Sequence, residues 1–204
     1  MPIKENREYR IAMPFEAATT DDGRMVLEGY ATTFDIPYVM EGTQFDAMPL
    51  YEQIASTALD AADTSDVILQ YDHSGRVGAR TSNRTLQLDR DAHGLHVRAD
   101  VTDSSVGPGM YQDVKGGFIT KMSWGFMVPE DGWEYDVETN TRTITKVSKV
   151  FDVSLVSIPA NQGTDIYARS AFDGEIERAR KEFAERAGKE ERERREMLAL
   201  LLEL

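Results

Sequence analysis

The chain has no cysteine among its 204 residues. This excludes disulfides, a thiol nucleophile and any thiolate-held metal, and it agrees with a reducing cytoplasm. Histidine is nearly as scarce, with only His73, His93 and His96. They show no paired ligand spacing such as His-Glu-x-x-His, so a metal-dependent hydrolase is a distant reading and no cofactor or metal is expected. No apolar run approaches the roughly 20 residues of a membrane span, and residues 1–8 are too polar for a secretory signal. No membrane partner is therefore expected. Positive charge is also short: 23 Lys and Arg stand against 36 Asp and Glu, a net charge of -13. Phosphate backbones attract Lys and Arg, so this balance argues against a nucleic-acid binder. It leaves room for a basic protein partner or a basic substrate segment. At 41% hydrophobic and 29% charged residues, the rest of the composition is ordinary for a globular protein. The length suffices for one well-cored domain plus an appendage.

The pattern along the chain is mainly strand. Residues 1–20 read as an arm or short strand, Asp21-Asp22-Gly23 as a turn, and Met25–Phe34 as a strand ended by Pro37. Residues 38–48 look like a loop. Leu50, Ile54, Ala58 and Ala61 recur at helical spacing among good helix formers, which predicts a helix over 50–62. Val67–Tyr71 is a short buried strand that delivers Asp72 and His73 to its end, with a turn at Ser74-Gly75. Thr85–Asp89 and Leu95–Val101 flank a hairpin signal at Asp91–Gly94. A short helix is predicted at Met110–Lys115. A hairpin is predicted from Trp133–Val137 and Arg142–Lys146, and Val147–Val156 is strongly strand-forming. The fold class is thus mainly β with a few helices (α+β), most simply a barrel or sandwich.

One strand carries the first chemical signal. In Phe118–Val128 the residues Phe118, Met122, Trp124, Phe126 and Val128 alternate onto one face, and Ser123, Gly125 and Met127 onto the other. Gly125 is costly inside a strand unless something must approach the backbone there. Ser123 is then either a plain strand serine beside a bulge or a nucleophile. A serine hydroxyl is a weak nucleophile until a base takes its proton. His73, at the end of a buried strand beside a turn, is the histidine best placed for that work. His93 lies in a hairpin turn and His96 in an alternating strand, so both read as surface residues. A base also needs an orienting group on its second ring nitrogen. Asp152, a carboxylate between Phe151 and Val153, must find a partner or face solvent. Each residue by itself also has a structural reading.

Taken together, these segments resemble the prohead (capsid maturation) serine proteases of tailed bacteriophages and prophages. The likeness is carried by Glu28-Gly29-Tyr30-Ala31 with Phe34, by His73 followed by Val77-Gly78, and by Asp91 with Gly94-Leu95. It continues in the Ser-x-Gly-Phe signature at Ser123-Trp124-Gly125-Phe126. Its last pieces are Asp152-Val153-Ser154-Leu155-Val156 and Pro159-Ala160-Asn161. It runs in family order from about residue 8 to residue 168. The resemblance implies a herpesvirus-protease-like β-barrel followed by a C-terminal helix. It also implies a serine endopeptidase that cleaves the scaffold part of the major capsid protein, and itself, inside the immature procapsid in the host bacterial cytoplasm. Carried over by motif, His73 is the general base, Ser123 the nucleophile and Asp152 the third residue, where the family usually has Glu. Herpesvirus relatives place a second histidine after the serine, and no histidine follows Ser123. Backbone N–H groups are the expected oxyanion donors. The alternative from another class is a non-enzymatic scaffold or capsid-assembly module, which would not need the three residues to converge.

From Phe172 the composition turns to Glu, Arg, Lys and Ala. Glu177–Lys181, Glu182–Arg186, Glu185–Lys189, Glu190–Arg194 and Glu191–Arg195 are i,i+4 pairs in the favourable order. Phe172, Ile176, Ala179 and Phe183 form only a thin apolar seam, which Met197, Leu201 and Leu204 resume. The expected organisation is a protease domain over 1–170 and a charged helical tail over 171–204. The tail is read either as a solvated helix or as a docking or self-associating arm. Ala168–Ala171 is a plausible self-cleavage site in the linker.

Overall fold

The computed structural model describes residues 7–45 and 48–157, and beyond them the helical residues 178, 180–186, 188, 189 and 192. Its elements run β1 (Glu8–Thr19), β2 (Met25–Thr33), β3 (Tyr38–Phe45), β4 (Met48–Ile54), β5 (Ile68–Tyr71), β6 (Ser74–Arg80), β7 (Leu86–Arg90) and β8 (Gly94–Asp100). There follow α1 (Gly107–Lys115), β9 (Lys121–Met127), β10 (Trp133–Asp136), β11 (Thr141–Ile144) and β12 (Lys149–Val156). The mainly β, α+β class is therefore as the sequence predicts. One sheet has eight strands in the order β6-β5-β12-β9-β1-β2-β8-β7, and a second has four in the order β10-β11-β4-β3. In a flat sheet β6 and β7 would lie about 34 Å apart, at roughly 4.8 Å per strand. Yet only Thr81–Thr85 separates Arg80 from Leu86, a link that reaches at most about 22 Å. The large sheet must curl back on itself. Its splice is β1, whose first half pairs with β9 and whose second half pairs with β2, with a register irregularity between Ile11 and Pro14.

The curl encloses the core. Leu27, Leu69, Val97, Met122, Trp124, Phe126, Val153 and Leu155 are all fully buried, and the Trp124 and Phe126 rings stack 4.0 Å apart. The helix α1 carries Pro108 in its first turn and buries Met110, Tyr111 and Val114. The Met110 sulfur sits where a β-carbon on Gly78 would fall, 2.4 Å away, so Gly78 is what lets the helix close on β6. The second sheet is tied to the first by a buried ion network. Glu52 is fully buried on β4 and takes Arg10 from β1, Arg142 from β11 and the Tyr38 hydroxyl from β3. Arg142 also holds Glu8 through two hydrogen bonds of 2.7 and 2.9 Å.

Several elements differ from the sequence reading. Residues 50–62 are not a helix: β4 ends at Ile54, and turns fill most of the stretch beyond it. Leu50, Glu52 and Ile54 also alternate, and a strand brings Glu52 to Arg10 and Arg142. Tertiary pairing outweighs helix propensity there. Residues 38–45 are β3 rather than a loop, because β4 offers them an antiparallel partner. The arm over 1–20 includes the 12-residue β1. Strand β9 starts at Lys121, and Phe118, expected on its core face, is 82% exposed in the preceding turn. The predicted boundary at residue 170 and the Ala168–Ala171 linker lie outside the described residues, as do several of the tail's ion pairs. The described part of the tail is helical. Arg180 on it donates to Asn140 Oδ1 at 2.7 Å and to the Tyr135 hydroxyl at 3.0 Å, against the β10–β11 hairpin.

Candidate active site

Strands β9 and β12 run antiparallel with Ser154 opposite Ser123 and Asp152 opposite Gly125. Directly opposed residues share a face, so these four lie on one side and Met122, Trp124, Val153 and Leu155 lie on the core side. A bulge sets this phase. Val150 pairs with Phe126 and Asp152 with Gly125, which leaves Phe151 as the extra residue. Without it Asp152 would fall on the other face.

His73 arrives from the β5–β6 hairpin. Tyr71 pairs with Ser74, so Asp72 and His73 are the two central turn residues, with φ values of 42° and 55°. Two positive φ values are what a type I′ turn requires, and Asn-Gly is its usual sequence. The turn is thus at Asp72-His73 and not at Ser74-Gly75. Its strained backbone is held from β12. The Asp72 N–H donates to the Leu155 carbonyl at 2.9 Å, and the Asp72 carboxylate accepts from the Ser157 N–H at 2.9 Å and its hydroxyl at 2.8 Å. Strain of this kind persists only where the surroundings over-determine it, and it clusters at working sites.

The structure brings the three predicted residues together. His73 Nε2 lies 2.8 Å from Ser123 Oγ, and His73 Nδ1 lies 2.5 Å from Asp152 Oδ1. Asp152 reaches the imidazole although it is one methylene shorter than Glu. Ser123 and Asp152 are buried, at 0% and 1% exposed, and the His73 side chain keeps 18% exposure. The other histidines are elsewhere. His93 and His96 flank the Tyr30 ring on the β2–β8 face, and His96 contacts Glu28 at 3.1 Å. Among the described residues no group of three or more His, Asp or Glu is placed to hold a metal ion, and no helix is long and apolar enough to cross a membrane.

Two neighbours of the site were not singled out by the sequence. The Tyr9 ring packs tilted on the His73 imidazole with centroids 4.1 Å apart. Ser154 Oγ donates to Asp152 Oδ1 at 2.8 Å and accepts the His73 backbone N–H at 3.2 Å. Gly125 has its reason here. A β-carbon on it would stand 2.7 Å from Asp152 Oδ2 and 2.8 Å from Tyr9 Cε1. The close approach to the backbone is made by the protein's own carboxylate and ring. Tyr9 is aimed by alternation along β1, whose neighbours Glu8 and Arg10 turn the other way into the buried ion network. Burial would raise the Glu8 carboxyl, but Arg10 and Arg142 outweigh it and hold the group down at about 2.

The profile of the family described as caudovirus prohead serine protease matches residues 13–178. The chain belongs to that family. It is a serine protease of phage capsid maturation, and the alternative of an inert scaffold module is not favoured. The prohead protease of Escherichia phage T5 is 24% identical over 154 residues, covering 75% of this chain and 67% of that one. The prohead protease of Enterobacteria phage HK97 is 26% identical over 161 residues, covering 78% and 67%. The solved bacteriophage T4 capsid assembly protease superposes with a TM-score of 0.49 at 10% identity, over 77% of this chain and 100% of that chain. The family match covers part of β1 and all of β2 through β12, and so all three of the residues His73, Ser123 and Asp152.

Proposed function

We propose that Ser123 is the nucleophile, His73 the general base and Asp152 the orienting carboxylate of a serine endopeptidase that cleaves the scaffold part of the major capsid protein, and its own chain, in the immature procapsid within the host bacterium. The observation that carries this reading is the continuous line Asp152 Oδ1, His73 Nδ1, His73 Nε2, Ser123 Oγ, with links of 2.5 and 2.8 Å. In the first step His73 Nε2 takes the Oγ proton as Oγ bonds to the scissile carbonyl carbon. The same nitrogen then gives the proton to the leaving amine. Water, deprotonated by His73, attacks the acyl-serine; the bond to Oγ breaks, His73 returns the proton to Ser123 Oγ, and the second product leaves as the carboxylic acid. Asp152 accepts a hydrogen bond from His73 Nδ1–H and stays ionised, which fixes the tautomer that leaves Nε2 free and stabilises the imidazolium. Backbone N–H groups serve the oxyanion.

Ser123 is fully buried, so substrate entry has to part the side chains over it. The His73 imidazole, as the exposed member, is the edge from which that entry occurs. Residues 1–170 act as the protease unit. Residues 171–204 act as an arm that docks the enzyme to the capsid–scaffold assembly or to a second copy. The test is to incubate the chain with its capsid–scaffold protein and follow the products by mass spectrometry. Processing should occur with the native chain and cease with Ser123→Ala; undiminished processing by that variant would overturn the assignment.

A further inference from the structure

We infer that Ser154 is a positioning residue that locks His73 and Asp152 in register with Ser123. The inference rests on the site reading above. Ser154 stands on β12 two residues beyond Asp152 and directly opposite Ser123, and it is fully buried. Its one hydroxyl proton goes to Asp152 Oδ1 at 2.8 Å, the same oxygen that faces His73 Nδ1. A lone pair of the same hydroxyl accepts the His73 backbone N–H at 3.2 Å. One side chain therefore touches both the carboxylate and the main chain of the residue that carries the imidazole.

The need for such a lock follows from the turn. His73 sits at a φ of 55°, where a side-chain-bearing residue is disfavoured. The Asp72 contacts with Leu155 and Ser157 hold the first half of the turn, and the Ser154 hydroxyl holds the second. Leu155 and Ser154 lie on the strand that carries Asp152 and Ser157 directly follows it, so the turn and the carboxylate move as one piece. The hydroxyl has a second effect through charge. A hydrogen bond to Oδ1 spreads the carboxylate's negative charge and tempers its pull on the imidazolium. The titratable groups packed against the imidazole are Asp152 from β12 and Tyr9 from β1, while Asp72 is turned to Ser157. Loss of the hydroxyl therefore leaves Asp152 as the group whose field at the ring grows.

The test is steady-state kinetics of Ser154→Ala on a peptide spanning a mapped cleavage site, with pH profiles. Thermal unfolding is followed in a Ser123→Ala background to show that the fold persists. A displacement near 1 Å at a reacting group costs about 10²-fold in rate, so kcat should fall by about tenfold to a hundredfold. KM should stay put because Ser154 is fully buried. The acid limb of kcat/KM should move to higher pH. In an Asp152→Asn background, Ser154→Ala should cost less than it does alone, since one of its two contacts is to that carboxylate. A wild-type kcat and pH limb in Ser154→Ala, or a full additive loss on top of Asp152→Asn, would overturn the inference. Retained activity in Ser123→Ala and His73→Ala would instead defeat the site assignment on which it stands, and those two variants are run alongside.

Discussion

Substituting Gly125 by Ala adds one methyl group at the tightest point of the site. The new carbon would stand 2.7 Å from Asp152 Oδ2 and 2.8 Å from Tyr9 Cε1, with Tyr9 Cδ1 at 3.2 Å. Ordinary contact begins near 3.4 Å, so the carboxylate and the ring must each give by about 0.6–0.7 Å. Asp152 cannot do so freely, because His73 and Ser154 both hold its Oδ1. Overpacking of a close-packed site costs about 1–3 kcal/mol. Loss of glycine's freedom in the unfolded chain returns about 0.4–1 kcal/mol. The midpoints of these ranges leave a net loss of about 1.3 kcal/mol, which corresponds to roughly 3–5 °C in Tm for a chain of this size. Activity should suffer more than stability, since a shift of that order at the Asp152–His73 link costs on the order of 10²-fold in kcat/KM. Stability is read by thermal unfolding in the Ser123→Ala background, which removes self-digestion, and activity by peptide cleavage in the active background. A Gly125→Ala enzyme with native Tm and native kcat/KM would refute the packing argument.

His73→Ala should be as damaging as Ser123→Ala, and the double variant hardly worse than either, because groups that act as one unit are strongly non-additive; His93→Ala and His96→Ala should keep most activity, and a dead but folded variant of either would move the base elsewhere. Asp152→Asn should lose about 10⁴-fold in kcat yet stay above background, by analogy with the tautomer role of the third residue in the best-studied triad, and Asp152→Glu should keep part of the activity; a native rate for Asp152→Asn would reduce that residue to structure. Glu8, depressed from 4.5 to about 2 in the folded chain, contributes stability that is present above pH 4.5 and lost as pH falls towards 2, so Tm of the Ser123→Ala chain should drop through that window and Glu8→Gln should flatten the drop; an unchanged slope would contradict the ion-network account. Deleting residues 171–204 should leave peptide cleavage nearly intact while reducing incorporation into procapsids; loss of peptidase activity would place the arm within the catalytic unit.

How much was legible in the sequence follows from how local each feature is. The serine strand, the β10–β11 hairpin, the His73-bearing turn region and most of α1 could be read from short-range patterns such as period-two alternation and turn residues. The three site residues were legible through the motif as a set, but their convergence was not. It depends on the Phe151 bulge and on the parallel pairing of β12 with β5, and neither has a local signature. Ser154 had a usable signal, since a hydroxyl two residues beyond Asp152 on a strand must share its face. Tyr9 had none, because its place over His73 is set by β1 pairing with β9 across more than a hundred residues. The failure at 50–62 has the same origin. Leu50 and Ile54 satisfy both a helical and an alternating pattern, and the choice is made by Arg10 and Arg142, far away in the chain.

The most direct test of the central claim is covalent trapping of the nucleophile. A fluorophosphonate reacts with a serine hydroxyl whose proton is removed as it attacks, so it reports the Ser123–His73 couple itself. Peptide mapping by mass spectrometry should place a single phosphonyl adduct on Ser123, with the native labelling rate lost in His73→Ala and strongly reduced in Asp152→Asn. An adduct on another serine, or labelling of Ser123 at the same rate without His73, would contradict the account.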